Sequence, residues 1–277
     1  MSRPAPLTGR AIRAIVALPV AVLFFGPVLW VLVTSLSTSS DIYRFPPRLW
    51  PTWHFENYVL AWKAANWPRY FGNTVFIAAC TVALALVTSL LAGFAFSVMR
   101  FRGRGLLFGL VLSVMMVPQT VLLIPDYIIA KQIGWLDTYW IQIIPWGASV
   151  FGIFLVRQLF IGVPTELLDA AEMDGAGPLR MLYSIGVPLA RPAMILVGLN
   201  VFMGSWNAFL WPYVMTSSDD LRPIEVGLQY FYGANGTDWP TLSAAVCFTT
   251  LPVLVVFVFL QRYFVTGAYY TQGAVRG

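Results

Sequence analysis

Charged residues, cysteine and histidine are all scarce in this sequence. Only 10% of its 277 residues are charged, and it contains two cysteines and one histidine. Cys80 and Cys247 lie in long apolar runs, where they are interpreted as small packing residues, and they form neither a disulfide framework nor a zinc pattern. His54 lies beside Trp53 and Phe55 and is interpreted as an interfacial residue. The sequence therefore indicates no metal, no cofactor and no catalytic residue.

Apolar residues dominate the chain instead, at 58% of its residues and a mean hydropathy of +0.74. Several runs reach the roughly 20 residues that a helix needs to cross a bilayer. A helix satisfies its own backbone hydrogen bonds in lipid, and the alternation typical of barrel strands is absent. The sequence predicts an all-α, polytopic membrane protein that forms a single domain over 1–277. Six transmembrane helices are predicted at about 14–36, 73–99, 105–130, 138–160, 192–216 and 240–261.

The first predicted span has some features of a secretory signal, because Arg3, Arg10 and Arg13 precede an apolar run. The run is too long for the apolar region of a signal peptide, and no clear small-residue cleavage site follows Ser35. We therefore interpret it as a retained transmembrane helix.

The distribution of charge predicts the orientation of the chain, since cytoplasmic loops carry an excess of Lys and Arg. With a cytoplasmic N-terminus, eleven basic and four acidic residues lie inside, and six basic and eight acidic residues lie outside. The eleven are Arg3, Arg10, Arg13, Arg100, Arg102, Arg104, Arg157, Arg180, Arg191, Arg262 and Arg276. Both termini are thus predicted to be cytoplasmic. The net charge of +5 is a topology signal in a lipid-embedded chain and does not indicate nucleic-acid binding.

Two further features allow more than one interpretation. The predicted outer segment 37–72 is rich in Pro and aromatic residues, which fits either the headgroup level of the membrane or a surface that meets an external protein. Asp126 and Lys131 lie near the outer end of the third span. An ionisable residue within a span is a functional candidate, but both side chains can also reach water from this depth.

Four of the twelve acidic residues fall within nine positions between the fourth and fifth spans: Glu166, Asp169, Glu172 and Asp174. Thr165 can cap a helix through its hydroxyl, and the carboxylate of Glu166 suits the positive end of the helix dipole. Gly accepts the left-handed conformation common at helix ends. The sequence therefore predicts a short helix that ends at Asp174-Gly175.

This helix has little side-chain bulk on part of its circumference, because Ala170 and Ala171 are adjacent. A thin helix with acidic edges can insert into a groove on another protein. The alternative is an amphipathic loop that packs on its own bundle, and the spacing alone does not choose between the two. An amphipathic run follows Gly177-Pro178, and Pro188 and Pro192 are expected to break the helix before span five.

The segment 164–192 resembles the signature loop of the permease subunits of bacterial ATP-binding-cassette importers, which reads E-A-A, three residues, then G. Asp169-Ala170-Ala171 takes the E-A-A place, with Asp where the family prefers Glu, and Gly175 takes the glycine place. Three other segments are similar to the MalG-like permease of maltose-type carbohydrate importers. They are Phe55–Tyr58, the fifth-span segment Gly204–Pro212, and the terminal segment Gly273–Gly277, with Arg276 in place of the usual Lys.

The resemblance implies a division of labour between subunits. The chain would pair with a homologous second permease to form the translocation path. Two cytoplasmic ATPase subunits would each receive one coupling helix, and an extracytoplasmic sugar-binding protein would deliver the cargo. The C-terminal tail would reach between the ATPases. The residues implied in coupling are Glu166, Asp169, Ala170, Ala171, Glu172, Asp174, Gly175 and Ala176.

Candidate residues of the path lie on the fifth span: Asn200, Trp206 and Asn207. Amides can bond sugar hydroxyls, and an indole can stack on a pyranose ring. The alternative is that the amides hold helices together, since such bonds contribute about 0.6–2 kcal/mol in membranes.

The function implied is ATP-driven import of a mono-, di- or oligosaccharide by alternating access. The chain has no G-x-x-x-x-G-K-[ST] loop, so it cannot itself cradle ATP phosphates. One alternative keeps the importer and changes the cargo to glycerol phosphate or another polar metabolite. A self-contained secondary transporter would need buried ionisable groups, whereas spans two, five and six carry no charge. A non-transporting membrane scaffold is the third alternative.

Overall fold

The computed structural model describes residues 7–233 and 236–273, with side chains placed for 17–233 and 236–259. Helices account for nearly all of its regular structure. The α-helices are α1 Leu7–Ser35, α2 Ser39–Ile42, α3 Glu56–Lys63, α4 Trp67–Ser97, α5 Arg104–Ser113, α6 Gln119–Gln132, α7 Tyr139–Ile143, α8 Val150–Ile161, α9 Thr165–Met173, α10 Pro178–Met181, α11 Val187–Trp206, α12 Leu210–Met215, α13 Ile224–Gly227 and α14 Trp239–Gly273. A π-helical turn, Leu182–Gly186, joins α10 to α11, and strands β1 Tyr232–Gly233 and β2 Gly236–Thr237 pair antiparallel.

Five elements of the described chain are long and apolar enough to cross a membrane, and a sixth is obtained if one sharply bent helix pair counts as a span. The five are Ala17–Ser35, Trp67–Ser97, Tyr139–Ile161, Pro178–Trp206 and Trp239–Phe259. The predicted class of an all-α polytopic membrane protein is confirmed. The single-domain organisation over the whole chain stays a prediction.

The third predicted span, 105–130, is wrong as a continuous helix. The chain bends by 100° between Arg104–Met116 and Gln119–Gln132. A proline disfavours the helical conformation of the residue before it, and Val117 accordingly takes an extended conformation at φ −87° and ψ 117° ahead of Pro118. The Val117-Pro118 step in the sequence thus marks the bend, and the predicted span ran through it.

The fifth predicted span, 192–216, is also wrong at both ends. The spanning element begins at Pro178 and ends at Trp206, so Pro188 and Pro192 lie inside it and do not break it. The π-helical turn just before Pro188 shifts the hydrogen-bond register where the first proline lacks a donor, and transmembrane helices tolerate proline through such local adjustments. The predicted loop 164–192 is therefore shorter, because the part after Gly177 belongs to the spanning element.

The described residues divide into two compact units. The first contains the residues up to Asn66 together with Leu228–Pro252. In it, the end of α1 is held by Asn57, whose Nδ2 donates to the carbonyl oxygens of Ser35 and Ser37, each at 2.9 Å. The hydroxyls of Ser35 and Tyr58 lie 2.8 Å apart. These bonds close the turn that follows the first span.

Asp41 orders the segment 38–52 of this unit. Its Oδ2 accepts from the hydroxyls of Thr38 at 2.7 Å and Thr52 at 3.0 Å, and its Oδ1 lies 3.5 Å from Arg48 Nη1. The hydrogen bond from the Thr38 side chain is the largest cause that lowers the pKa of this carboxyl to about 2. The charged form is therefore favoured in the folded segment.

Asp41→Asn is expected to lower the amide-exchange protection of residues 38–52 at neutral pH, since the amide is a weaker acceptor than the carboxylate. Because the folded pKa lies below the ordinary 3.8, the protection is present above about pH 4 and is lost as the pH falls towards 2. Hydrogen exchange, corrected for the intrinsic rate at each pH, measures both effects. Glu56→Gln is the control, because it removes an exposed carboxylate of α3 in the same unit. Equal protection at pH 5 and pH 2 in the unaltered chain would contradict the assignment.

The second unit contains Trp67–Gly227 and the chain from Val253 onward. Its core is formed by α4, α8 and α11, which approach closely where small residues lie between them. A Cβ at Gly152 of α8 would clash with the hydroxyl of Ser89 and lie 2.8 Å from Cγ1 of Val197. A Cβ at Gly93 of α4 would lie 2.6 Å from Cγ1 of Val156. These contacts position the two candidate sites of the unit.

Candidate functional site

The acidic loop between the fourth and fifth spans forms a helix, α9, over Thr165–Met173. The prediction that Thr165 caps it is wrong, because the carbonyl of Pro164 accepts the amide of Leu167 at 3.2 Å and Thr165 is already helical. The cap residue is Pro164, which makes no side-chain capping bond. The helix therefore starts directly at the proline that leaves α8.

The end of α9 is a Schellman motif. The amide of Ala176 donates to the carbonyl of Ala171 and that of Gly175 to the carbonyl of Glu172, each at 2.9 Å. Gly175 has φ +77°, the left-handed conformation that the motif requires and that side chains with a Cβ rarely adopt. The predicted stop at Asp174-Gly175 is confirmed, with Asp174 as the C-cap residue.

One side of α9 packs against its own unit. Ala171 and Ala176 are partly buried against a core cluster that contains Phe94, Val156 and Phe160. Part of the alternative weighed from the sequence is therefore correct, since the loop does pack on its own bundle. The packing fixes the orientation of the helix and determines which residues face outward.

The remaining predicted coupling residues are exposed, with Glu166, Asp169, Ala170 and Glu172 on α9 and Asp174 and Gly175 at its end. Neither of the ion pairs found among the described residues involves these acids. Met173 at the end of α9 is 89% exposed, and Leu179 on α10 is 75% exposed. A surface that combines large exposed apolar side chains with unpaired acids is typical of a protein interaction site.

A cavity of about 830 Å³ lies elsewhere in the second unit. Its wall is formed by the first half of α4, the bend after α5, the interrupted span Tyr139–Ile161, and the end of α11. Among the described residues, none that lines it carries a charge. Asn200 and Asn207, two of the three predicted path residues, are in the wall.

Trp206, the third predicted path residue, is not in the wall. It is 2% exposed, and its ring lies 5.4 Å from that of Phe202 and 6.4 Å from that of Phe71. A helix turns about 100° per residue, so the neighbours Trp206 and Asn207 face different directions. The indole of Trp206 therefore packs in the core and not in the cavity wall, and its path role stays a prediction that the cavity does not support.

The structure brings further polar and aromatic residues to the cavity that the sequence reasoning missed. Gln119, Gln142 and Thr81 line it, together with Trp146 and Trp211, whose rings meet edge to face at 5.3 Å. Amide side chains inside apolar spans are uncommon and costly, so Gln119 and Gln142 could have been singled out. Nothing in the sequence separated Trp146 and Trp211 from the many other aromatic residues.

A clamp between α4, α7 and the segment 219–224 forms one side of the cavity. Asn73 Nδ2 donates to the carbonyls of Asp220 and Arg222, at 2.8 and 2.9 Å, and its Oδ1 accepts from the hydroxyl of Tyr139 at 2.7 Å. Gln142 Nε2 donates to the carbonyl of Leu221 at 3.1 Å. The wall is therefore held by hydrogen bonds between residues distant in the sequence.

The other candidates contribute to neither site. Asp126 and Lys131 lie on α6 and are absent from the cavity wall. The tail after Gly273, which includes Arg276, lies outside the described residues.

Apolar helices that require a bilayer, arranged around an uncharged polar cavity, define this chain as a multi-pass membrane transport protein. It belongs to the family of binding-protein-dependent transport system inner membrane components, whose family model matches residues 85–268. The chain is therefore a permease subunit of an ATP-binding-cassette importer in the inner membrane. It is not an enzyme, because the hydrolysing activity of these importers lies on separate ATPase subunits.

Several permeases resemble this chain over most of its length. The arabinooligosaccharides transport system permease protein AraQ of Bacillus subtilis is 31% identical, over 93% of this chain and 92% of its own. The lactose transport system permease protein LacG of Rhizobium radiobacter is 34% identical, over 89% and 90%. The sn-glycerol-3-phosphate transport system permease protein UgpE of Brucella abortus is 29% identical, over 89% and 91%.

A solved structure shows the same fold. The crystal structure of a bacterial ABC transporter involved in the import of the acidic polysaccharide alginate matches with a TM-score of 0.80 and 22% identity. The match covers 95% of this chain and all of the other. A second crystal structure, of a bacterial alginate ABC transporter in complex with its alginate-bound periplasmic protein, matches with a TM-score of 0.64 and 14% identity.

Proposed function

We propose that this chain forms half of the path of an importer that carries a carbohydrate by alternating access. A second, homologous permease supplies the other half, and an external binding protein delivers the sugar. The observation that carries the proposal is the cavity, whose wall offers amides, hydroxyls and indoles without a charge. These are the groups that bond sugar hydroxyls and pack on sugar rings. The names of the arabinooligosaccharide and lactose relatives support the same cargo class.

The exposed face of α9 docks into a groove of a cytoplasmic ATPase subunit. Its acids supply charge-assisted hydrogen bonds and Met173 an apolar anchor, as in other helix-in-groove contacts. The packing of Ala171 and Ala176 against the core supports this role, because a helix fixed to its own bundle can transmit a displacement to the attached spans. Docking to ATPases requires α9 and both termini to lie on the cytoplasmic side, which the excess of Arg on that side supports.

Uptake in proteoliposomes tests the proposal. Vesicles that contain this chain, the paired permease and the ATPases are expected to accumulate labelled arabinotriose or lactose when ATP and the loaded binding protein are supplied. Uptake driven by an ion gradient without ATP would support the secondary transporter instead. A stable complex that moves no solute under any condition would support the scaffold.

Glycerol phosphate is the second candidate cargo, because the Brucella relative is named for it. The same vesicles distinguish the two when labelled sn-glycerol 3-phosphate replaces the sugar. The uncharged wall favours the sugar.

Gly175→Val is expected to lower the initial rate of ATP-driven uptake about tenfold. A left-handed conformation costs roughly 1–2 kcal/mol for a residue with a Cβ, so the Schellman turn that orients α9 is weakened. Gly177→Val is the matched control, because Gly177 has an ordinary φ of −69° and, like Gly175, has nothing within 4 Å of an added Cβ. Equal rates for the two variants would show that the turn plays no part in coupling.

A further inference from the structure

Two hydrogen-bonding groups in the cavity wall have no partner among the described residues: Thr81 Oγ1 and Gln142 Oε1. Thr81 is fully buried and Gln142 is 3% exposed. A buried polar group without a hydrogen bond is uncommon and costly, so each case requires an explanation. The proteins of this class move a solute past such a wall, which makes the solute the natural partner.

The hydrogen bond made by its Nε2 fixes the orientation of the Gln142 amide. Its Nε2 donates to the carbonyl of Leu221 at 3.1 Å, and the carbonyl could not accept from an oxygen. Oε1 must therefore face away from Leu221, and it can only accept. Thr81 Oγ1 both donates and accepts. The two groups suit a ligand rich in hydroxyl groups, because each hydroxyl can both donate and accept a hydrogen bond.

The charge of the wall restricts the class of ligand further. A phosphate or uronate held in a cavity between apolar helices needs a cation or several charged hydrogen bonds to offset its lost hydration. The described wall contains neither Lys nor Arg. The indoles of Trp146 and Trp211, which meet edge to face, offer apolar ring surface instead.

We infer that Thr81 and Gln142 form a hydroxyl-binding subsite in this subunit that favours a neutral sugar over an anionic one. The inference rests on the proposed function, because it assigns a substrate class to the same cavity. The subsite acts by accepting sugar hydroxyls at two groups that no other part of the described chain satisfies.

Thr81→Val in the complete importer tests the subsite. Valine fills the same volume without the hydroxyl, so ATP-driven uptake of the neutral sugar at limiting concentration is expected to fall three- to tenfold, which corresponds to one lost hydrogen bond. The melting temperature of the complex is expected to stay level or to rise, because an unpartnered buried group has been removed. A purely structural hydroxyl would instead lower the melting temperature when it is lost.

Ser89→Ala is the matched control. Ser89 lies two turns along α4, and its hydroxyl is also buried and without a partner, but it does not line the cavity. Its loss is expected to leave uptake unchanged. Equal uptake by Thr81→Val and the unaltered importer would overturn the subsite. Gln142→Met is a second test variant of the subsite. Its uptake is expected to fall at least as much as that of Thr81→Val.

Labelled sn-glycerol 3-phosphate tests the preference for a neutral ligand. With the importer's own binding protein, its uptake is expected to be at least tenfold slower than that of the neutral sugar. A comparable rate would overturn the inference and leave the ATP-driven importer standing. The absence of any ATP-driven uptake would refute the proposed function itself, so the two failures are distinct.

Discussion

Glu172→Lys is expected to reduce ATP-driven sugar uptake by at least about tenfold while the chain still folds. Glu172 is exposed on α9 and takes part in neither ion pair of the described residues, so its replacement removes no contact that stabilises the fold. In the proposed complex the carboxylate meets a groove of the ATPase. Loss of one partner from a desolvated charge pair costs about 2–5 kcal/mol, and an inserted ammonium adds repulsion.

Two measurements separate loss of coupling from loss of folding. The melting temperature of the purified chain is expected to be unchanged, whereas the ATPases are expected to copurify less well or to hydrolyse ATP without uptake. Glu56→Lys serves as the control, because it makes the same reversal at an exposed acid of α3. Normal uptake by Glu172→Lys would remove α9 from the coupling mechanism. The variant Met173→Cys offers a second check. If it forms no crosslink to an ATPase subunit, α9 takes no part in the coupling mechanism.

Gly152→Leu is expected to prevent assembly of the second unit. The new side chain would clash with the hydroxyl of Ser89 and with Val197, both of which belong to helices packed on α8. Overpacking typically costs about 1–3 kcal/mol and occasionally more, and a leucine side chain at so close a contact lies at the upper end, which is a substantial part of the stability of a typical domain. The yield of monodisperse protein in detergent and its melting temperature measure the effect.

Gly109→Leu is the matched control for this substitution. Gly109 lies on the apolar helix α5, and nothing would lie within 4 Å of an added Cβ. This variant is expected to fold and melt like the unaltered chain. Gly152→Ala alone is expected to lower the stability. The double variant Gly152→Ala/Ser89→Gly is expected to recover part of that loss, because it removes the Ser89 side chain that the new Cβ would meet. Equal yields of Gly152→Leu and Gly109→Leu would show that α4 and α8 do not pack as described.

The prolines in the spans show which helix interruptions can be predicted from the sequence and which cannot. Pro118 broke the third span, whereas Pro188 and Pro192 did not break the fifth. A proline removes the same donor in each case, but the π-helical turn before Pro188 absorbs the change. Local chemistry predicts that a proline disturbs a helix, and the surrounding packing decides whether the helix bends, adjusts or ends.

The cavity shows the same limit at the level of single residues. Asn200 and Asn207 were selected because amides can bond sugar hydroxyls, and the structure places both in the cavity wall; the same argument was available for Gln142. Trp206 could not be judged in the same way from the sequence, since an indole suits both a sugar and a core. Its direction depends on how α11 packs, because the ring lies against those of Phe71 and Phe202.

The sequence alone determined the membrane class, the acidic helix and its glycine stop, because these depend on composition and on chemistry within a few residues. Long apolar runs need lipid whatever their neighbours are, and a left-handed turn needs glycine wherever it occurs. Only the tertiary structure decided which face of α9 is exposed, and that Thr81 and Gln142 line one cavity. Those facts depend on contacts between α4, α7, α8 and α11, and close packing between distant segments leaves no periodic signal in the chain.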